Sequence, residues 1–76
     1  MDEDRMLEEI ANEYDFRLFR QYEEKQVAHI LKKDISTLKR WRKKGMIKYV
    51  PMGEREVAYH GMEIAKAILK GIRRDV

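Results

Sequence analysis

Cysteine is absent from this 76-residue chain, proline occurs once, and tryptophan occurs once. Without cysteine no disulfide can brace the fold, and no thiolate metal site is possible. The two histidines are too few for a metal site unless carboxylates help. No glycine-rich phosphate loop or paired-histidine motif occurs. No nucleophile–base–acid set can be argued from the spacing. The chain is therefore expected to be no enzyme, with no catalytic residues, no metal and no cofactor. Long apolar runs are missing too: none approaches the roughly 20 residues of a membrane span. No signal peptide is visible. A cytoplasmic protein of a bacterial or phage-infected cell is expected, with no membrane partner. A chain this short is one domain that buries only about 60% of its unfolded surface, so its stability should be modest.

What is present is charge, unevenly spread. Residues 1–15 hold seven acids against one arginine, a net of −6, whereas residues 16–76 hold sixteen cations against seven acids, a net of +9. Between Lys39 and Lys48 lie six Lys or Arg and no acid: Lys39, Arg40, Arg42, Lys43, Lys44 and Lys48. The one tryptophan, Trp41, sits among them. A solvated helix face is the bland explanation of a charge run. Clustering without acids points instead to a polyanionic partner.

Residues 1–20 read as an acidic leader helix. Met6, Leu7, Ile10, Ala11, Tyr14 and Leu18 recur at helical spacing. Asp2, Glu3 and Asp4 suit the positive end of the helix dipole. Phe16 and Phe19 leave that stripe, so the helix should end or turn within residues 15–20. Residues 21–76 read as the main domain. Val27, Ala28 and Leu31 mark a short helix over about residues 23–32. Asp34 suits the N-cap of a second helix starting at Ile35, and Gly45 suits its left-handed end. Two short helices joined by about three residues have helix-turn-helix proportions.

At about 100° per residue, Ile35, Leu38 and Trp41 share one arc of the second helix. Ser36, Arg40 and Lys43 point away from it, with Lys44 beside them and Thr37 and Lys39 on the flanks. Trp41 is thus expected to anchor the helix, with its indole N–H reaching a carbonyl or a phosphate at the rim. Arg42 lies too near the apolar arc for a groove contact. It should run along the core edge to an acid in the leader or at Glu23–Glu24.

Beyond Gly45 the period shortens. Ile47 and Tyr49, then Val57 and Tyr59, alternate with polar residues as strands do. Pro51 and Gly53 suit a type I turn between them, with Arg55 near the tip. A closing helix follows, with Met62, Ala65, Ile68, Leu69 and Ile72 on its core face. His60 is placed to cap it, and His29 is expected at the surface. The architecture expected is mainly α with a small β-hairpin: a winged helix-turn-helix with an extra N-terminal helix. Two apolar surfaces exceed what such a domain needs: the leader stripe (Leu7, Ile10, Ala11, Tyr14) and a strip of Ile64, Ala67 and Gly71. They can close on each other within one chain or pair between chains. A homodimer is the arrangement favoured, since association stabilises a small chain.

The stretch "VAHILKKDISTLKRWRKKGMIKYVPMGEREVAYHGMEI" resembles the MerR-like and excisionase-like DNA-binding domains. It is also similar to the N-terminal domains of phage terminase small subunits. The shared features are Val27-Ala28, Thr37-Leu38-Lys39, the aromatic Trp41, Gly45, Gly53 in the wing and Tyr59 closing it. The likeness spans about residues 22–66. It implies a recognition helix, residues 35–44, in the major groove of double-stranded DNA, and a wing near residues 51–56 on the backbone or minor groove. It implies DNA contacts for Thr37 and Lys39, and wing contacts for Lys48 and Arg55. No coiled-coil helix or effector domain follows the wing, so ligand sensing is not expected. Glu54 and Glu56 flank Arg55 and should weaken its phosphate contact.

DNA chemistry assigns the remaining roles. Arg40, outward and forked, is the expected base reader. Ser36 and Thr37 lie near a helix N-terminus, where phosphate binds well. Lys43, Lys44 and Lys48 should hold phosphates. A phage or mobile-element transcription regulator or excisionase is the expected job, with a recombinase or other mobile-element protein as a possible second partner. The alternatives are an accessory factor in replication, partition or packaging, and a module that offers its basic helix to RNA or an acidic protein.

Overall fold

The computed structural model describes residues 2–71. Along them run α1 (Glu3–Tyr14), β1 (Gln21–Glu23), α2 (Glu24–Leu31), α3 (Ile35–Lys43), β2 (Val50–Pro51), β3 (Val57–His60) and α4 (Gly61–Leu69). The strands form one antiparallel sheet in the order β1-β3-β2. The domain is thus mostly helical, with a sheet one strand larger than a hairpin. Among the described residues no helix is long and apolar enough to cross a membrane.

Asp2 caps α1, its Oδ1 accepting the Asp4 N–H at 3.1 Å. The helix stops at Asp15, whose φ of 60° is left-handed, a conformation that aspartate tolerates better than most residues. Leu18 therefore lies beyond α1 rather than on its stripe, although it still packs against the core. Leu7 and Ala11 are buried where α1 packs on α4, in one core with Ile64, Ala67 and Ile68. The two apolar surfaces that exceeded a minimal domain close on each other within the chain. Leu7, Ala11, Ile64 and Ala67 are thereby buried within one chain. Gly71 lies past the end of α4, and Ile72 falls outside the described residues.

The α2–α3 connection is three residues long, residues 32–34. Gln26 Oε1 accepts the Glu23 N–H at 2.9 Å at the start of α2, half of a capping box. Asp34 takes the extended N-cap conformation before α3, but its side chain makes no capping hydrogen bond. Gly45 has the left-handed φ, +75°, expected after α3.

The hairpin differs from its expected form. Residues 47–49 are not a strand: Ile47 is buried and Tyr49 exposed, so no alternation links them. Strand pairing begins at Val50, opposite Ala58, and Pro51 pairs with Val57. Pro51 thus stands in the edge strand, where a missing N–H disturbs no ladder, rather than in the turn. The loop closes later, with the Met52 N–H donating to the Glu56 carbonyl at 2.8 Å. On the other side of β3, Tyr22 of β1 faces Tyr59. His60 caps α4, its Nδ1 accepting the Met62 N–H at 3.3 Å. Gly61 permits a close approach: a Cβ there would collide with the Arg17 carbonyl oxygen and lie 2.8 Å from that of Leu18.

Candidate nucleic-acid interface

The inner side of α3 is defined by Leu38 and Trp41, both with 0% exposure. These two residues centre the core side between them, and Ile35 lies about 90° from that centre. Ile35 is accordingly 39% exposed, contrary to the expectation that it continues the buried stripe. The first turn of a helix can extend past the body it packs on, which periodicity alone does not reveal. Trp41 is the anchor expected, but its Nε1 is buried and finds no hydrogen-bond acceptor among the described residues.

The outer side carries the cations. Ser36, Lys39, Arg40, Lys43 and Lys44 are exposed and Thr37 is half-buried. Lys48, in the segment after α3, and Arg55, in the hairpin loop, are exposed as well. None of these cations makes an ion pair among the described residues. Arg42 is different. Its Nη1 lies 3.5 Å from Glu24 Oε2, and both side chains are 17% exposed. Its guanidinium carbon lies 5.2 Å from the centre of the Tyr49 ring. The same Glu24 oxygen accepts the Tyr59 hydroxyl at 2.7 Å. One carboxylate therefore ties together the start of α2, the last turn of α3 and strand β3. Burial pushes the Tyr59 hydroxyl well above its ordinary pKa of 10.0; the hydrogen bond to Glu24 and that residue's charge add to the rise, and Arg42 opposes it.

Two hollows border the hairpin. One, about 620 Å³, is lined by Ile35, Lys39, Met52 and Arg55, with Glu23 and Glu56 among the acids around it. The other, about 380 Å³, is lined by Lys43, Tyr49 and Arg55, with Glu54 and Glu56 beside them. Arg55 thus lines both, with Lys39 in the first and Lys43 in the second. Ser36, Arg40, Lys44 and Lys48 line neither. Ile35, Met52 and Tyr49 are exposed apolar surface beside these cations that the sequence reading missed. They are 39%, 56% and 45% exposed, and the one available signal was an aliphatic or aromatic residue next to a turn.

No protein-family model, no curated protein and no solved structure matches the chain.

Proposed function

We propose that this protein is a sequence-specific binder of double-stranded DNA, working as a winged helix-turn-helix. In this reading α3 enters the major groove by its outer face. The β2–β3 hairpin is the wing, resting on the backbone or the neighbouring minor groove. The observation that carries it is the outer face of α3, where Lys39, Arg40, Lys43 and Lys44 are exposed without an ion pair among the described residues. Glu24, the acid that faces Arg42, is already engaged by it and by Tyr59.

Arg40 reads a base edge, its fork suited to guanine O6 and N7. Ser36 and Thr37 hold a phosphate at the start of α3, and Lys39, Lys43, Lys44 and Lys48 hold others. Arg55 makes the wing contact, which Glu54 and Glu56 weaken. The wider role that fits is a small regulator or excisionase of a phage or mobile element, the kind of domain that residues 22–66 resemble.

Salt titration of duplex binding tests the reading. About five phosphate contacts give a slope of log affinity against log salt near −4.5 per protomer. A slope near zero, or no preference for any duplex selected from a random pool, overturns it. Tight binding to an acidic protein or to RNA alone favours an interaction module instead.

A further inference from the structure

The turn between α1 and β1 lies outside the proposed DNA surface, and it carries an unexplained aromatic. Phe19 is 83% exposed, more than any other large apolar residue described. The turn that holds it is well fixed. The Arg17 N–H donates to the Tyr22 hydroxyl at 2.8 Å, and the Gly61 N–H donates to the Arg20 carbonyl at 2.8 Å. Phe16 packs edge-on against Tyr22 with ring centres 6.2 Å apart. Gly61, lacking a side chain, lets the Arg17 and Leu18 carbonyls lie against the first turn of α4. Phe19 is therefore a preorganised knob, the kind of rigid aromatic that anchors an interface at low entropic cost.

Two shallow hollows adjoin it along α1, of about 300 and 200 Å³. Leu18 and Glu8 line both, Arg17 lines the first, and Asp4 and Met62 line the second. Arg17 and Arg20 flank the knob; Asp4 and Glu8 edge the hollows. All four are exposed, and none forms an ion pair among the described residues. One patch thus presents a knob flanked by cations and, in the second hollow, a receptacle whose charged residues are the acids Asp4 and Glu8. A surface that carries both halves of a contact is complementary to a copy of itself, which is the requirement for a twofold interface.

We propose that this patch pairs two copies of the chain about a twofold axis. Phe19 of each enters the hollow beside α1 of the other, and Arg17 and Arg20 meet the partner's acidic edge. The charges set the register, and the aromatic supplies most of the affinity. With one anchor per chain the interface is small, so the free dimer is weak. The patch uses α1, the following turn and the start of α4, and leaves α3 and the hairpin open. Neighbouring DNA sites would raise the local concentration and favour pairing. The pairing itself does not depend on the DNA reading.

Sedimentation equilibrium of the full chain, from about 10 μM to about 1 mM, tests it without DNA. The wild type should pass from monomer to dimer across that range. Phe19→Ser should raise the dimer Kd roughly tenfold or more while leaving the melting temperature unchanged. Arg17→Glu should also dissociate the dimer, and adding Glu8→Arg in the same chain should restore it. A wild-type monomer at the highest concentration overturns the proposal. So does a dimer that survives Phe19→Ser, or assembly that continues past two copies.

Discussion

Helices α1 and α3 are built on the same plan with opposite signs. Each buries two residues on one face, Leu7 and Ala11 in α1, Leu38 and Trp41 in α3. The outer face of α1 is acidic, with Glu3 and Asp4 in its first turn and no base in its last. That of α3 is basic, with Arg40 and Lys43 in its last turn and no acid in its first. Both arrangements suit the helix dipole. Both also crowd like charges four residues apart: Asp4 with Glu8 and Glu9 with Glu13, Lys39 with Lys43 and Arg40 with Lys44. Such pairs destabilise a helix by a few tenths of a kcal/mol each. In α1 the Arg5–Glu9 pair at 3.8 Å offsets part of this; the outer face of α3 has no such relief among the described residues. The comparison teaches that the inner faces account for the fold, whereas the outer faces oppose it slightly.

The largest effect expected comes from exchanging the inner faces for smaller ones. Trp41→Ala should destabilise the domain by about 3–5 kcal/mol, enough to unfold much of a small protein. A Trp41→Ala protein that keeps its melting temperature and loses DNA binding would show that the tryptophan is a contact and not an anchor. Leu7→Ala should lower stability by roughly 2–5 kcal/mol. Whatever remains folded should bind duplex with the wild-type salt slope, because α1 carries none of the proposed contacts.

A middle effect is expected where α2, α3 and β3 meet at Glu24. Tyr59→Phe deletes a buried hydroxyl that donates to Glu24, and a hydrogen bond to a charged group contributes about 1.5–3 kcal/mol. The raised pKa of Tyr59 gives this a pH signature. Its contribution is present in full below the ordinary pKa of 10.0 and is lost as pH rises beyond it, because the unfolded chain then releases the proton first. Urea melts at rising alkaline pH should show a decline that is smaller in Tyr59→Phe. Equal declines would mean that another group sets the alkaline limit.

The smallest effects concern the outer face of α3 and should appear in binding, not stability. Arg40→Ala should lose about 1–3 kcal/mol on the preferred site and relax the preference at one base pair. Lys43→Ala should weaken preferred and random duplexes alike and reduce the salt slope by about one. If Arg40→Ala weakens both equally, the base reader is another residue. Neither change should shift unfolding by more than about 0.5 kcal/mol.

Local rules were legible in the sequence. The α2–turn–α3 pair, the left-handed Gly45 and the His60 cap each depend on residues within a few positions; for the acid partner of Arg42 the sequence offered two places, the leader and Glu23–Glu24, and the structure has Glu24. What escaped depends on distant partners. Strand β1 is three residues long and exists because it pairs with β3, far along the chain. The first hairpin strand lies at Val50–Pro51 and not at residues 47–49, because Pro51 fits an edge strand as well as a turn. Ile35 was misplaced because a helix stripe does not tell where the body beneath it ends. The docking of α1 on α4 was one of two arrangements that the same apolar residues permit. The cations of α3 were visible from the start, as was their outward face once Trp41 was placed; a target sequence is not encoded in either.

Trp41 lies wholly out of water behind α3, with its indole N–H unpartnered among the described residues. It is also the chain's one tryptophan. Its fluorescence is therefore a private signal from the seat of that helix: short in wavelength while the ring sits in an apolar cage, and moving to the red when α3 lifts away. A polyanion docked on the far face changes the cations and not the cage. The molecule thus carries its own gauge, one that reads unfolding and stays nearly silent to binding.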